Sequence, residues 1–185
     1  MKKLSILATL VAVALPAFAD YQIQFLTYNG GQSNPVFDTD GATKLQSAFS
    51  GQLYTGTSAG SLTAIGSVQT FLTGAGAGFI ETGAPTIPSA TIGGGTAGFY
   101  QLRVWNTSAG SSFEAAATTV GAKIGSSAVT AVTFGGTPLI GGLGVLVPTA
   151  NLHSSFSLTT VAVPEPATLA LGLFGAAGLL FRRRK

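Results

Sequence analysis

One stretch of the sequence has the residue types and the spacing of a hydrolase nucleophile. Gly56-Thr-Ser58-Ala-Gly60 fits the pattern Gly-x-Ser-x-Gly, in which a serine on a sharp turn attacks a carbonyl carbon. An acid, Glu81 or Glu114, and then His153 follow in the chain order of such triads. That serine must lie between a strand and a helix, however, and no helix is predicted after Ser58. We therefore expect an ordinary hairpin turn at residues 56–60, with a Ser58–His153 hydrolase as an alternative function.

Two further patterns resemble ligand-binding motifs but lack the required context. Gly93, Gly95 and Gly98 fit Gly-x-Gly-x-x-Gly, yet they open a strand, whereas the dinucleotide-binding motif opens a helix. Asp38-Thr-Asp40-Gly41 begins like a calcium loop, but the later ligands and the terminal glutamate are missing, so an Asx turn is expected. His153 is the only histidine and cysteine is absent, which excludes multi-histidine and cysteine-based metal sites. The sequence predicts no metal and no cofactor.

The charge of the chain is concentrated in its terminal segments. The whole sequence carries a net charge of +3. Between residues 20 and 162 there are three cations and five acidic residues, which leaves this part faintly acidic at −2. Because the three cations are scattered, they form no basic patch of the kind that binds a phosphate backbone. Nucleic-acid binding is therefore not expected, and enzyme activity is not expected either.

The elements that must position these residues are mostly short strands. Apolar residues recur in short runs between Gly- and Pro-rich turns, and almost no helix is predicted. This pattern favours one all-β domain over residues 20–162, a β-sandwich of the Ig-like or jelly-roll-like kind. The predicted strands cover residues 21–28, 49–54, 62–65, 67–72, 99–105, 128–134 and 156–161. The glycine-rich residues 74–78 are predicted to be a flexible connection, and Pro85 and Pro88 mark a predicted loop.

The strongest predicted strand, residues 99–105, presents two different faces. Tyr100, Leu102 and Val104 alternate along one face, which we expect to lie against the core. Trp105 lies on the other face. If exposed, Trp105 or Tyr100 would offer a stacking platform for sugars, so a carbohydrate-binding module is the first alternative function, ahead of the hydrolase. We expect both rings to be buried in the core, however.

A short helical turn is predicted after this strand. Ser111-Ser-Phe-Glu114 has the spacing of a capping box and precedes three alanines at residues 115–117. Glu114 would then lie close enough to Arg103 to form an ion pair. We expect that pair to fasten the helical turn to the strand.

The start of the chain has the three parts of a secretory signal peptide. Met1-Lys2-Lys3 is a cationic segment, residues 4–15 are apolar, and Ala17-Phe18-Ala19 is a small-x-small cleavage site. We therefore predict a signal peptide over residues 1–19, passage through the Sec translocon, cleavage by signal peptidase, and a mature chain that begins at Asp20.

The C-terminal segment of the sequence indicates a short membrane-spanning element. Pro164-Glu165-Pro166 precedes an uncharged apolar run at residues 167–181, and a basic tail follows at residues 182–185. Fifteen helical residues rise about 22 Å, less than the hydrocarbon core of about 30 Å, but flanking cations can reach the headgroups and lengthen the span. Basic residues favour the cytoplasmic side. The predicted single transmembrane helix is stopped there by Arg182, Arg183, Arg184 and Lys185.

This three-part arrangement at residues 163–185 resembles the PEP-CTERM sorting signal of Gram-negative bacteria. The resemblance implies that an exosortase in the inner membrane recognises Pro164, Glu165 and Pro166 and cleaves nearby. The protein would be exported across the inner membrane, anchored transiently by the C-terminal helix, and then released to the cell surface or the extracellular matrix. Exopolysaccharide is the ligand that we would expect under the carbohydrate-binding alternative.

The interior of the chain also resembles small PEP-CTERM proteins with a Gln-Leu-Tyr strand, an Arg-x-Trp strand and a Gly-Ser-x-x-Glu-Ala turn. The matching segments here are residues 52–54, 101–105 and 110–115. The resemblance supports the β prediction and implies no activity. The expected function is that of a non-catalytic, surface or matrix structural protein.

Overall fold

A computed structural model of the chain describes residues 23–29, 31–86, 97–134, 147–148 and 153–162. These residues are mostly strand with very little helix, so the predicted all-β class is confirmed, while the sandwich type stays a prediction. The predicted signal peptide at 1–19 and the sorting signal at 163–185, with its helix at 167–181, lie outside the described residues. Within the described ranges, no helix is both long enough and apolar enough to cross a membrane.

Strands dominate the order of elements. Short 3₁₀ turns lie at Gly74–Gly76 and Thr107–Ala109, and the α-helix α1 spans Phe113–Ala117. The strands are β1 (Ile23–Leu26), β2 (Tyr28–Asn29), β3 (Gln32–Ser33), β4 (Val36–Phe37), β5 (Phe49–Ser58), β6 (Ser61–Thr70), β7 (Glu81–Thr86), β8 (Ala97–Asn106), β9 (Lys123–Ser126), β10 (Thr130–Thr133), β11 (Val147–Pro148), β12 (Phe156–Ser157) and β13 (Thr159–Thr160).

Two sheets hold most of these strands. The larger has the order β13-β9-β8-β5-β6, and β10 also pairs with β8. The smaller has the order β11-β1-β7, and two short pairs, β12 with β4 and β2 with β3, complete the pairing among the described strands. Strand β8 is therefore central, because it pairs with β5, β9 and β10, all antiparallel.

Strands β5 and β6 form a long hairpin where the sequence predicted shorter pieces. The expected break between residues 62–65 and 67–72 does not occur. Instead, Gly66 adopts a φ of +63°, which suits glycine, and the strand continues through a bulge. The side-chain amide Nε2 of Gln52 donates a hydrogen bond to the Gly66 carbonyl at 2.9 Å, which holds the bulge in place.

The main core is built on the inward face of β8. Tyr100, Leu102 and Val104 are fully buried, as their alternation predicted. They belong to one apolar cluster with residues from the smaller sheet, such as Phe25 of β1. Gly51 on β5 allows this close approach, because a Cβ there would lie 2.7 Å from the Ile80 side chain.

The opposite face of β8 carries a smaller cluster that covers Trp105. Helix α1 lies over this face, and Trp105, Ala116 and Ala122 are buried there together. The N-cap of α1 is Ser112, whose hydroxyl accepts a hydrogen bond from the Ala115 N–H at 3.2 Å. The predicted capping box at Ser111 was therefore wrong by one residue, although the helical turn itself is confirmed.

Two loop predictions and one strand prediction also need correction. Pro85, expected in a loop, lies in β7, which is tolerated because β7 is an edge strand of its sheet. The glycine-rich residues 74–78, expected to be a flexible connection, form a hydrogen-bonded 3₁₀ turn with Gly74 and Gly78 at positive φ. The last predicted strand, residues 156–161, is divided into β12 and β13 at Leu158, which is buried in the core.

Candidate functional site

The predicted hydrolase residues occupy dissimilar environments. Ser58 is exposed at the end of β5, and Ala59 and Gly60 turn the chain into β6, so a strand follows where a nucleophile elbow requires a helix. His153 is buried, with its ring 6.3 Å from that of Tyr100 and 6.4 Å from that of Phe156. The hairpin turn expected at residues 56–60 is confirmed.

In the turn that begins at Asp38, the Asp40 carboxylate binds groups of the turn itself. Asp40 accepts hydrogen bonds from the backbone N–H groups of Ala42 and Thr43, the geometry of the expected Asx turn, and also from the Thr43 hydroxyl. The Thr43 hydroxyl, together with those N–H groups, lowers the pKa of Asp40 to about 2. Within the described ranges, no group of three or more His, Asp or Glu side chains is placed to hold a metal ion.

Lys123 fastens this turn to the larger sheet. Its ammonium lies 2.7 Å from Asp38 Oδ2, across a sequence separation of 85 residues. Partial burial of Asp38 opposes ionisation, but the hydrogen bonds from Lys123 and from the Thr39 N–H outweigh that effect and lower the pKa of Asp38 below its ordinary value. The ion pair is therefore a tie between a loop and β9.

The richest constellation of polar and aromatic side chains lies where β5, β8 and α1 meet. We call it the Arg103 cluster: Tyr54, Gln101, Arg103, Phe113 and Glu114. Registers between β5 and β8 place Tyr54 opposite Gln101 and Gln52 opposite Arg103, so adjacent strands deliver these side chains to the base of α1. The helix then supplies Phe113 and Glu114 from its first turn.

Arg103 is held on several sides within the cluster. Its guanidinium lies 4.1 Å from the centre of the Tyr54 ring and 5.2 Å from that of Phe113, within cation–π range of both. Its Nε donates to Gln101 Oε1 at 2.9 Å, and Nη1 lies 3.2 Å from Glu114 Oε1. The predicted Arg103–Glu114 ion pair is confirmed.

Tyr54 is the second residue of the cluster that binds Glu114. Its hydroxyl donates to the Glu114 carboxylate, with both oxygens at 2.9 Å. Burial of the phenol, reinforced by this bond and by the Glu114 charge, raises the pKa of Tyr54 to about 12. A phenol in this state stays protonated at neutral pH, so its chemistry here is that of a hydrogen-bond donor and not of a base.

Trp105 is fixed beside the cluster by a single hydrogen bond. Its indole Nε1–H donates to the Gly110 carbonyl at 2.9 Å, and the residue is only 1% exposed. Gly110 lies so close to α1 that a Cβ would meet Ala115 Cβ at 2.8 Å. Trp105 and Tyr100 are therefore core residues, as expected, and neither offers a sugar platform.

These contacts bring together the three interior segments that the sequence singled out. The Gln-Leu-Tyr strand supplies Tyr54, the Arg-x-Trp strand supplies Arg103 and Trp105, and the Gly-Ser-x-x-Glu-Ala turn supplies Gly110 and Glu114. Three segments that are distant in the sequence thus meet at one place. Their residues form a packing unit between the strands and helix α1.

A surface cavity that sequence reasoning missed lies on another side of the domain. We call it the Tyr28 cavity; it has a volume of about 330 Å³ and is lined by Tyr28, Leu72, Ala75, Gly76, Phe79 and Glu81. Tyr28 is 56% exposed, and its ring meets that of Phe79 edge-on at 5.8 Å. No local sequence pattern marks this site, because Tyr28 is brought to residues 72–81 only by the pairing of β1 with β7.

Comparison with known proteins identifies the far end of the chain. The family model of the PEP-CTERM protein-sorting motif matches residues 162–185, which include the predicted Pro164, Glu165 and Pro166. The motif indicates an exported protein that an exosortase sorts through a membrane-anchored C-terminal signal to the cell surface. No curated protein matches the chain, and no solved structure matches it.

Proposed function

We propose that this exosortase substrate is a non-catalytic structural protein of the cell surface or extracellular matrix. The PEP-CTERM motif at residues 162–185 is the observation that carries the proposal. In the proposed route, the Sec translocon exports the chain and signal peptidase cuts after Ala19. The helix at residues 167–181 then holds the protein in the inner membrane until exosortase cuts near Pro164-Glu165-Pro166.

The arrangement of potential catalytic residues supports a non-catalytic role. A serine nucleophile needs a base within hydrogen-bond reach and a turn that presents its hydroxyl at a site. Ser58 instead lies exposed at the tip of a hairpin, whereas His153 is buried beside aromatic rings. The carboxylates of Asp38, Asp40 and Glu114 are each engaged in ion pairs or hydrogen bonds within the chain.

The Arg103 cluster supports a structural role. An exported domain without cysteine depends on its core and polar contacts for stability, because no disulfide can constrain the unfolded chain. Arg103 stacks against Tyr54 of β5 and Phe113 of α1, so it joins two strands to the helix whose residues pack against Trp105. Such contacts suit a domain that persists outside the cell as a passive component.

A sorting experiment tests the proposal directly. The full chain is produced in its host with Pro164, Glu165 and Pro166 all changed to alanine, and the cytoplasm, membrane and shed material are compared with wild type by immunoblot. We expect the wild type in the shed and surface fractions and the triple variant in the membrane. The control, Ser58→Ala, should distribute like wild type. Equal shedding of the triple variant would contradict exosortase sorting.

Carbohydrate binding is a second candidate function, favoured by one specific observation. The Tyr28 ring is exposed beside a cavity, as a stacking platform for a sugar requires. This platform differs from the one considered from the sequence, because Trp105 and Tyr100 are buried. A surface protein with such a site could contact exopolysaccharide while remaining a structural component.

A further inference from the structure

We infer that the Tyr28 cavity is a binding site for a neutral, gluco-configured saccharide. The inference rests on the carbohydrate-binding candidate and assigns it a place, a ligand class and residue roles. Tyr28 would stack against the apolar face of a pyranose, Phe79, which lies at 65° to it, would contact the edge of the sugar ring, and Glu81 would accept hydrogen bonds from its hydroxyl groups. None of these three residues belongs to the Arg103 cluster or to the sorting motif.

The shape of the cavity fits a small ligand. Its volume of about 330 Å³ lies at the lower end of the roughly 300–1,000 Å³ typical of small-molecule sites, which suits one or two sugar rings. Leu72, 37% exposed, adds apolar surface to the aromatic pair. The lining thus combines apolar and aromatic side chains with one carboxylate, which suits a pyranose because that ring carries both apolar C–H faces and hydroxyl groups.

Backbone contacts hold the aromatic pair in position before any ligand arrives. Thr27 and Ile80, the neighbours of Tyr28 and Phe79, are both buried and joined by two hydrogen bonds, Thr27 N–H to the Ile80 carbonyl at 2.9 Å and Ile80 N–H to Thr27 Oγ1 at 2.8 Å. The Lys44 ammonium lies 5.6 Å from the Phe79 ring centre. A platform fixed in this way loses little conformational entropy on binding.

The glycine-rich turn at residues 74–78 forms the rim. Gly76 contacts Leu72 so closely that a Cβ would lie 2.8 Å from Leu72 Cβ. Gly78, with φ of +87°, returns the chain through hydrogen bonds to Leu45 and Val36. The Leu72 N–H donates to the Phe79 carbonyl at 2.9 Å and joins the two sides of the cavity. The rim is therefore held in position by close packing and by backbone hydrogen bonds.

The charge of the lining selects the ligand class. Of the six described residues that line the cavity, Glu81 alone carries a charge, and the Lys44 ammonium beside the Phe79 ring is not part of this lining. An anionic sugar would be repelled by its carboxylate, whereas neutral vicinal hydroxyls can donate to both of its oxygens. Stacking further favours a ring whose hydroxyls are equatorial, because its faces then present only C–H groups to Tyr28. These two requirements together describe a glucose-type unit.

Ligand-observed saturation-transfer NMR with cellobiose tests this inference. The full chain is kept in a detergent without a sugar headgroup, and Tyr28→Phe, Tyr28→Ala, Glu81→Gln and Val120→Ala are compared with wild type. We expect Tyr28→Phe to retain affinity within about threefold and Tyr28→Ala to lose at least about tenfold. Glu81→Gln should lose about tenfold, because hydrogen bonds to a charged acceptor are the stronger ones. Val120→Ala, at an exposed apolar residue outside the cavity lining, should bind like wild type.

Four results would overturn the inference. They are no cellobiose signal up to about 50 mM, equal signals from wild type and Tyr28→Ala, glucuronate binding as tightly as methyl glucoside, and a dimer in sedimentation that Tyr28→Ala dissociates. The last result would assign the cavity to a second copy of the chain. An unchanged urea midpoint for Tyr28→Ala shows that its fold is intact. Because sorting is measured by fractionation, loss of sugar binding leaves the sorting proposal standing.

Discussion

The Arg103 cluster and the Tyr28 cavity contain similar residues, but the cluster is filled by the chain and the cavity is open to solvent. Each contains two aromatic rings, a glutamate and a nearby cation. In the cluster, Arg103 fills the space between Tyr54 and Phe113 and pairs with Glu114, so the chain satisfies its own polar groups. In the cavity, that central space is open to solvent and Tyr28 is exposed. An aromatic ring and a carboxylate therefore stabilise the fold where a side chain such as Arg103 fills the space between them. Where that space is open, the same two groups are available to a ligand.

The largest contrast is expected between Trp105→Ala and Tyr28→Ala. Removing the buried indole leaves a cavity under α1, so the free energy of unfolding should fall by about 3–5 kcal/mol. Removing the exposed Tyr28 ring should lower it by less than about 1 kcal/mol. Urea unfolding of both variants measures the two values, and equal losses would break the distinction between the two regions.

A smaller loss is expected when the cation of the cluster changes shape. Arg103→Lys keeps the charge but loses planar stacking on Tyr54 and the Nε–H bond to Gln101, so unfolding free energy should fall by about 1–2 kcal/mol. Glu114→Gln should cost about 0.5 kcal/mol, because the Glu114 side chain is 60% exposed and solvent weakens its ion pair. The reverse order in urea unfolding would assign the cluster's stability to charge and not to stacking.

The alkaline pH dependence provides a third test of the cluster. The pKa of Tyr54 is raised from 10.0 to about 12, so the folded state favours the neutral phenol. Its contribution to stability is fully present below pH 10 and is lost as pH rises from about 10 to about 12. Wild type should therefore lose more unfolding free energy than Tyr54→Phe over this range, measured by urea unfolding at pH 9 and pH 12. Parallel losses would show that the phenol is not held by burial and Glu114.

The smallest expected effect distinguishes two adjacent serines at the edge of the cluster. Ser112→Ala removes the N-cap of α1 and should lower unfolding free energy by about 0.5–1 kcal/mol. Ser111→Ala, one residue earlier, is the matched control and should change it by less than about 0.3 kcal/mol. A larger loss at Ser111 would restore the capping box expected from the sequence.

Local patterns predicted the parts of the fold that depend on alternation. Strand β8 was recognisable because Tyr100, Leu102 and Val104 repeat at a period of two, which only a half-buried strand uses. The Arg103–Glu114 pair was also predictable, because only a short turn separates the two residues. The position of the N-cap was not predictable, because Glu114, which marked Ser111 as the start of a capping box, binds Arg103 and Tyr54, and Ser112 caps the helix.

Features that depend on pairing between strands distant in the sequence could not be predicted from local patterns. Strand β9 has a short, weakly alternating sequence at Lys123–Ser126, and it forms because β8 and β13 offer hydrogen bonds on both sides. The Tyr28 cavity exists only because Leu26 pairs with Glu81 and Thr27 binds Ile80. The register that brings these residues together is set by core burial across more than fifty residues, which no local window contains.

Mass spectrometry of both termini of the protein shed by its host tests the central claim most directly. The account predicts a first residue at Asp20, after signal-peptide removal, and a last residue near Pro164, after exosortase cleavage. An intact chain from Met1 to Lys185 confined to the cytosol would contradict the proposed export and sorting.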